Sequence, residues 1–225
     1  VSHQVHAVGS AHFTRIYSGH RNKPTKRKKP KIVASLGPRY PRNQFYFGYR
    51  RRGVEMGLWR ETLQILEKLA QFTQHADVVV KDYPNSELKA LWTSECNRLG
   101  LAYQTDEVAF DSVLKTADVV ILMWVSTTFF ESLSAGRPIL LWDDGEFTES
   151  SKKILQKYGG FSESLQDFIS LLDKQIPTQA FRNLDHQFLA SKFLTPFSGN
   201  DLHHRLTSVV KDLPALQLES GRRPF

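Results

Sequence analysis

The stretch from Ala117 to Trp142 constrains the fold more than any other part of the chain. Val119 to Met123 is an unbroken apolar run behind Asp118, the pattern of a strand covered on both faces. Ser126, Thr127 and Thr128 suit a helix N-cap, where a side-chain oxygen accepts from first-turn N–H groups. Thr128 and Glu131 also have the spacing of a capping box. Gly136 suits the position just past a helix, where positive φ is needed, and Pro138 stops the helix before Ile139–Trp142 opens a second buried strand. The predicted order is strand, hydroxyl-rich turn, helix, strand. It brings hydroxyls, N–H groups and a carboxylate to the carboxyl edge of a parallel sheet, where α/β folds bind ligands. The same hydroxyls would also serve as plain caps, but three in succession between two buried strands favour a ligand site.

The flanking sequence continues the alternation. Ile32–Leu36 predicts a strand ending at Gly37-Pro38, and Leu58–Thr73 carries Leu58, Leu63, Ile65, Leu66, Leu69 and Phe72 at helical spacing. Between them runs a polar and aromatic loop over 37–56, a length that in compact domains is usually functional or disordered. Val78–Val80 predicts a short buried strand ending in Lys81-Asp82-Tyr83-Pro84, with Pro84 opening a helix to about Leu99. Leu101–Gln104 predicts a strand and Val108–Thr116 a helix. Ser151–Tyr158 predicts a helix stopped by Gly159-Gly160, and Leu165–Leu172 another. Repeated strand–helix units of this kind specify an α/β fold, a Rossmann-like parallel sheet with helices on both faces. The expected division is an N-terminal segment with a basic linker (1–31), a nucleotide-binding domain (32–176) and a C-terminal helical extension (177–225).

With 225 residues, 40% of them hydrophobic and 24% charged, the chain is long enough to bury a core. No apolar run approaches the roughly 18 residues of a membrane span. No charged-then-apolar leader opens the chain, and its first residue is Val, so a piece of a longer protein is expected. The single cysteine, Cys96, excludes an internal disulfide framework, fits a core position on a helix and suits the reducing cytoplasm. The net charge of +7 gathers in Arg21 to Lys31 and in Arg50-Arg51-Arg52. Such runs attract phosphates, nucleic acid or an anionic leaflet, and also occur as solvated loops. No recognition helix or aromatic ribonucleoprotein motif accompanies them, so specific nucleic-acid binding is not expected. The eight histidines are scattered without metal-ligand spacing, so no metal is expected. Fingerprints of dehydrogenases, P-loop enzymes and serine hydrolases are missing too.

Three strand ends are expected to converge: Gly37-Pro38-Arg39, Lys81-Asp82-Tyr83-Pro84, and Trp124 to Glu131. Arg39 and Lys81 would supply positive charge, Ser126, Thr127 and Thr128 hydroxyls and N–H donors, and Glu131 an acceptor for ribose hydroxyls. Solvent-facing roles for Arg39 and Lys81 stay open at this point.

These residues resemble the C-terminal, donor-binding half of a GT-B glycosyltransferase. The likeness is to bacterial surface-carbohydrate transferases of the CDP-glycerol glycerophosphotransferase and capsular Kdo-transferase groups. It rests on Lys81-Asp82-Tyr83-Pro84, set against a Lys-Pro-His-Pro-like motif, and on Asp118, Ser126-Thr127, Glu131-Ser132-Leu133 and Arg137-Pro138. Val8-Gly9-Ser10-Ala11-His12-Phe13 is similar to a Gly-x-Pro-Arg-Phe junction, and the whole likeness covers roughly residues 5–175. Asp82-Tyr83 departs from the Pro-His pair, and the early motif lacks its proline. The resemblance implies that Ser126, Thr127 and Thr128 contact a donor diphosphate and that Glu131 contacts its ribose or sugar; Arg39, Lys81 and Tyr83, from the other strand ends, complete the expected donor site. No resident cofactor or metal is implied. The implied partners are a nucleotide-sugar or CDP-polyol donor and a glycan or lipid-linked acceptor, used for surface polysaccharide such as capsule. The single cysteine and the basic runs suggest a cytoplasmic location with peripheral contact at the anionic inner face of the membrane, and the resemblance implies that the acceptor half would lie outside this chain. A GT-B-shaped sugar-nucleotide epimerase or hydrolase, or a non-catalytic binding or assembly module, would use the same fold.

Overall fold

Strands that are apolar on both faces pack edge to edge and need helices above and below. The computed structural model describes residues 16, 29–36, 54–83, 88–105, 107–143 and 147–194. Among these, six strands form one sheet: β1 (Lys31–Ser35), β2 (Asp77–Lys81), β3 (Ala102–Gln104), β4 (Val119–Leu122), β5 (Ile139–Trp142) and β6 (Phe161–Ser162). The order is β3-β2-β1-β4-β5-β6 and every pairing is parallel. The helices are α1 (Val54–Ala70), α2 (Lys89–Leu99), α3 (Phe110–Leu114), α4 (Thr127–Ser134), α5 (Glu149–Tyr158), α6 (Leu165–Gln175) and α7 (His186–Phe193), with a 3₁₀ turn at Ala180–Asn183.

Period-two alternation sorts the strand residues onto two cores. Ile32, Ala34, Val78, Val80, Val119, Ile121, Leu140 and Trp142 meet α1, α2 and α6 through Ile65, Leu66, Leu69, Trp92, Cys96, Phe168 and Leu172. On the opposite face, Val33, Val120, Leu122, Ile139 and Leu141 meet α3, α4 and α5 through Val113, Leu114, Phe129, Leu133, Leu155 and Tyr158. Ile16, from the N-terminal segment, and Leu189 of α7 are buried in this second core as well. The α/β reading is therefore observed, with helices on both sides of a parallel sheet. No helix among the described residues is long and apolar enough to cross a membrane.

Polar contacts lock the amino edge. Asp118 is buried; its carboxylate accepts from Lys31 N at 2.8 Å, and its own N–H donates to Lys31 O at 2.8 Å. Lys31 Nζ donates to Thr116 Oγ1 at 2.9 Å, so this member of the expected basic run holds the sheet together. The α4 helix ends as its sequence predicts: Gly136 has φ 65°, and the N–H groups of Gly136 and Arg137 reach back to Leu133 O and Ser132 O. Buried Arg137 then donates to Leu114 O at 3.0 Å and Lys115 O at 3.2 Å, closing the carboxyl end of α3 with a cation.

Several elements differ from the sequence expectation: the helix expected to open at Pro84 begins at Lys89, with Leu88 as its N-cap, and the one expected over 58–73 spans Val54–Ala70. The predicted helix over 108–116 is only Phe110–Leu114, because Ala109 is extended and Arg137 takes the carbonyls that another turn would use. The two-residue strand β6 was not expected. It forms because Gly160 lets the chain run against β5, where Leu141 N donates to Gly160 O at 2.7 Å; a Cβ at Gly160 would lie 2.4 Å from Ile139 O.

Candidate functional site

Strand order reverses between β1 and β4, so the crevice outside their carboxyl ends is the place where such sheets bind ligands. The turn from Met123 to Ser126 and the first turn of α4 follow β4 there. Phe129 and Leu133, one turn apart, seat α4 on the core, and this fixes which residues face away. Thr127 and Glu131 lie together on the outer side; Thr127 is exposed and Glu131 half-buried. Inside the helix, Ser132 and Ser134 bond back to Thr128 O and Phe130 O and do not reach the crevice.

The hydroxyls are arranged differently from a capping box. The N-cap is Ser126, with extended φ −141° and ψ −169°, and the helix begins at Thr127. Thr128 is then the second helical residue, N3 is Phe129, and Glu131 at N5 closes no capping box. Ser126 makes no side-chain cap; its Oγ pairs with Thr128 Oγ1 at 2.7 Å. Elsewhere Thr148, Ser164 and Asp185 do cap their helices, accepting from Ser151 N, Asp167 N and Phe188 N. At α4 the N–H groups of Thr127 and Thr128 thus receive no oxygen from the N-cap side chain, while the helix dipole leaves partial positive charge there.

Lys81 is placed differently from the expectation that it lends its charge to this hollow. Ser35 pairs with both Lys81 and Leu122, so β1 separates Lys81 from β4 by two strand spacings, about 10 Å. Its side chain is buried, and Nζ donates to Asp82 O at 2.8 Å and Thr105 O at 2.9 Å, on the β3 side. With Asp82 N bonded to Gln104 O, this clamps the ends of β2 and β3 together. The Asp82 carboxylate, also buried, accepts from Tyr83 N and from the Tyr103 hydroxyl. Burial, then the bond to Asp82, raises the Tyr103 hydroxyl above its ordinary pKa. Burial, reinforced by Asp82 and Glu95, pushes the Cys96 thiol up to about 11, so this cysteine is an inert core residue. Tyr83 is half-buried beside the clamp, one strand removed from the crevice. Arg39, Pro84 and the basic clusters at 21–28 and 50–52 lie outside the described residues.

One residue of the site escaped sequence reasoning. Asp143, just past β5, is buried, and its Oδ2 accepts from Val125 N at 2.9 Å. An acid directly after a buried strand was the available signal, but only the tertiary pairing shows which loop it holds. Among the described residues no three His, Cys, Asp or Glu side chains come together as a metal cluster would require.

The strand order, with a hydroxyl-bearing helix start at its switch point, is that of a Rossmann-like α/β domain. The fold is that of a Rossmann-like half of GT-B glycosyltransferases. TarM superposes with a TM-score of 0.52 over 84% of this chain and 36% of its own, at 10% identity. A Staphylococcus aureus TarM variant in complex with fondaparinux, α-GlcNAc-glycerol and UDP gives 0.48 at 11% identity, over 84% of this chain and 37% of its own. The spinosyn forosaminyltransferase SpnP gives 0.43 at 17% identity, over 87% and 46%. The chain thus spans about a third of the length of TarM, and the likeness concerns the fold. No protein-family model matches the sequence, and no curated protein does.

Proposed function

We propose that this chain is the donor-binding domain of a glycosyltransferase or glycerophosphotransferase acting in surface polysaccharide synthesis. One observation carries the reading: the start of α4 opens at the switch point with its first-turn N–H groups uncapped by Ser126. A diphosphate seated there accepts from the N–H groups of Thr127 and Thr128 and from the hydroxyls of Ser126 to Thr128, and Glu131 accepts from ribose or sugar hydroxyls. The helix start and Arg39 offset the charge that develops on the departing nucleoside diphosphate, with no resident cofactor or metal in the scheme. Tyr83 contributes to the donor site from the end of β2, and Lys81 supports it by holding the β2 and β3 ends together. The donor is a nucleotide sugar or a CDP-polyol and the acceptor a glycan or a lipid-linked glycan. The basic clusters hold the enzyme on the anionic inner face of the membrane, from the cytoplasm.

Titration with UDP, GDP, CDP and CMP tests the site. Saturable binding of at least one is expected, weakened about tenfold or more by Ser126→Ala combined with Thr127→Ala, since each charge-assisted hydrogen bond contributes about 1.5–3 kcal/mol. No binding of any of the four would favour a non-catalytic module. With a labelled donor, transfer to a glycan is the expected product; release of free sugar or an epimer would point to the hydrolase or epimerase instead.

A further inference from the structure

We infer that Asp143 is a positioning residue that sets the direction of the hydroxyl turn, and through it the affinity of this domain for a nucleoside diphosphate; the inference rests on the donor-site reading. Asp143 is 3% exposed, although a carboxylate is seldom buried without partners. Its own N–H donates to Ser162 O at 3.2 Å, so β6 holds its backbone, while Oδ2 accepts from Val125 N at 2.9 Å. Val125 immediately precedes the N-cap Ser126. The chain of contacts therefore runs from β6 through Asp143 to the residue that aims α4 at the crevice.

The chemistry suits the task. A charge-assisted bond from a backbone N–H to a carboxylate is among the stronger hydrogen bonds in proteins. The Asp side chain is short, so little rotamer freedom remains once it is bonded. An acid this close to an anion site would repel the ligand if it faced it, and here an oxygen is turned onto the backbone of the turn. This also gives the two-residue strand β6 a role beyond packing Phe161 against the second core, since it fixes the backbone of Asp143.

The test compares Asp143→Ala, Asp143→Leu and Asp143→Asn with the unsubstituted chain, reading hydrogen exchange at the Val125 amide and the Kd for UDP, GDP, CDP and CMP. Leucine keeps the branched shape at a larger volume and without an acceptor, and serves should the alanine variant fail to fold; asparagine keeps an acceptor oxygen. The expected result is faster Val125 exchange and about tenfold weaker nucleotide binding in the alanine and leucine variants, with most of both recovered in the asparagine variant. Unaltered Val125 exchange, or equal losses in all three variants, overturns the inference. Normal nucleotide binding by a folded leucine variant overturns it while leaving the donor site standing. If the unsubstituted chain binds none of the four nucleotides, the donor-site reading falls first and this inference with it.

Discussion

Replacing Arg137 by alanine separates a structural role from a ligand role for the Gly-Arg-Pro segment. The guanidinium is 2% exposed and makes hydrogen bonds of 3.0 and 3.2 Å to the last carbonyls of α3. Each charge-assisted bond contributes about 1.5–3 kcal/mol. Burial lowers the Arg137 pKa, partly offset by Asp118, so part of that gain is already spent on desolvating the cation. Truncation removes both bonds, leaves Lys115 O without this donor and Leu114 O with only the Ala117 N–H, and vacates buried side-chain volume. A net loss of about 2–4 kcal/mol follows, which for a chain of this size lowers Tm by roughly 5–15 °C. Arg137→Lys keeps the charge but replaces the planar fork by one ammonium, and should lose about half as much. Urea denaturation measures both. The nucleotide Kd of Arg137→Ala, taken well below its Tm, should match that of the unsubstituted chain. Stability unchanged within about 0.5 kcal/mol, or lost binding with stability intact, would refute the structural assignment.

Two further perturbations test other parts of the fold. Cys96 titrates near 9.0 in the unfolded chain and about 11 when folded, so its neutral thiol contributes stability that is complete below pH 9 and lost as pH rises towards 11. The stability difference between the native chain and Cys96→Ala should shrink by about 2–3 kcal/mol from pH 8 to 11, and a difference independent of pH would contradict this. Gly160→Ala must displace the backbone of β5 or β6, since the new Cβ meets Ile139 O at 2.4 Å; a loss of about 2 kcal/mol or more in chemical denaturation is expected, and a neutral substitution would show that β6 is not held as described.

Much of the fold was legible because its signals are local. Val119 to Leu122 and Ile139 to Trp142 are strands since nothing in them can face water, and Gly136 with Pro138 ends α4 by backbone sterics alone. The site was legible in part. Three hydroxyls before a helix announce a helix start, yet Ser126, Thr127 and Thr128 compete equally for the N-cap. The choice of Ser126 was made by Phe129 and Leu133 having to face the sheet. Lys81 shows the limit in the other direction: a cation at a strand end reads as a ligand group, and only the neighbouring strand reveals the carbonyls that hold it.

The sequence alone determined the alternation of apolar strands and helices, hence a parallel sheet, and where its carboxyl-edge turns fall, because these depend on steric and hydrophobic preferences within a few residues. Tertiary structure decided the strand order, the burial of Lys81 on the β2–β3 side, the reach of Arg137 to α3 and of Asp143 to Val125. Each of those links residues 18 or more apart in the chain, or places one strand between two others. Such pairings have no local signature, since a buried charge finds its partner only once the core has closed around it.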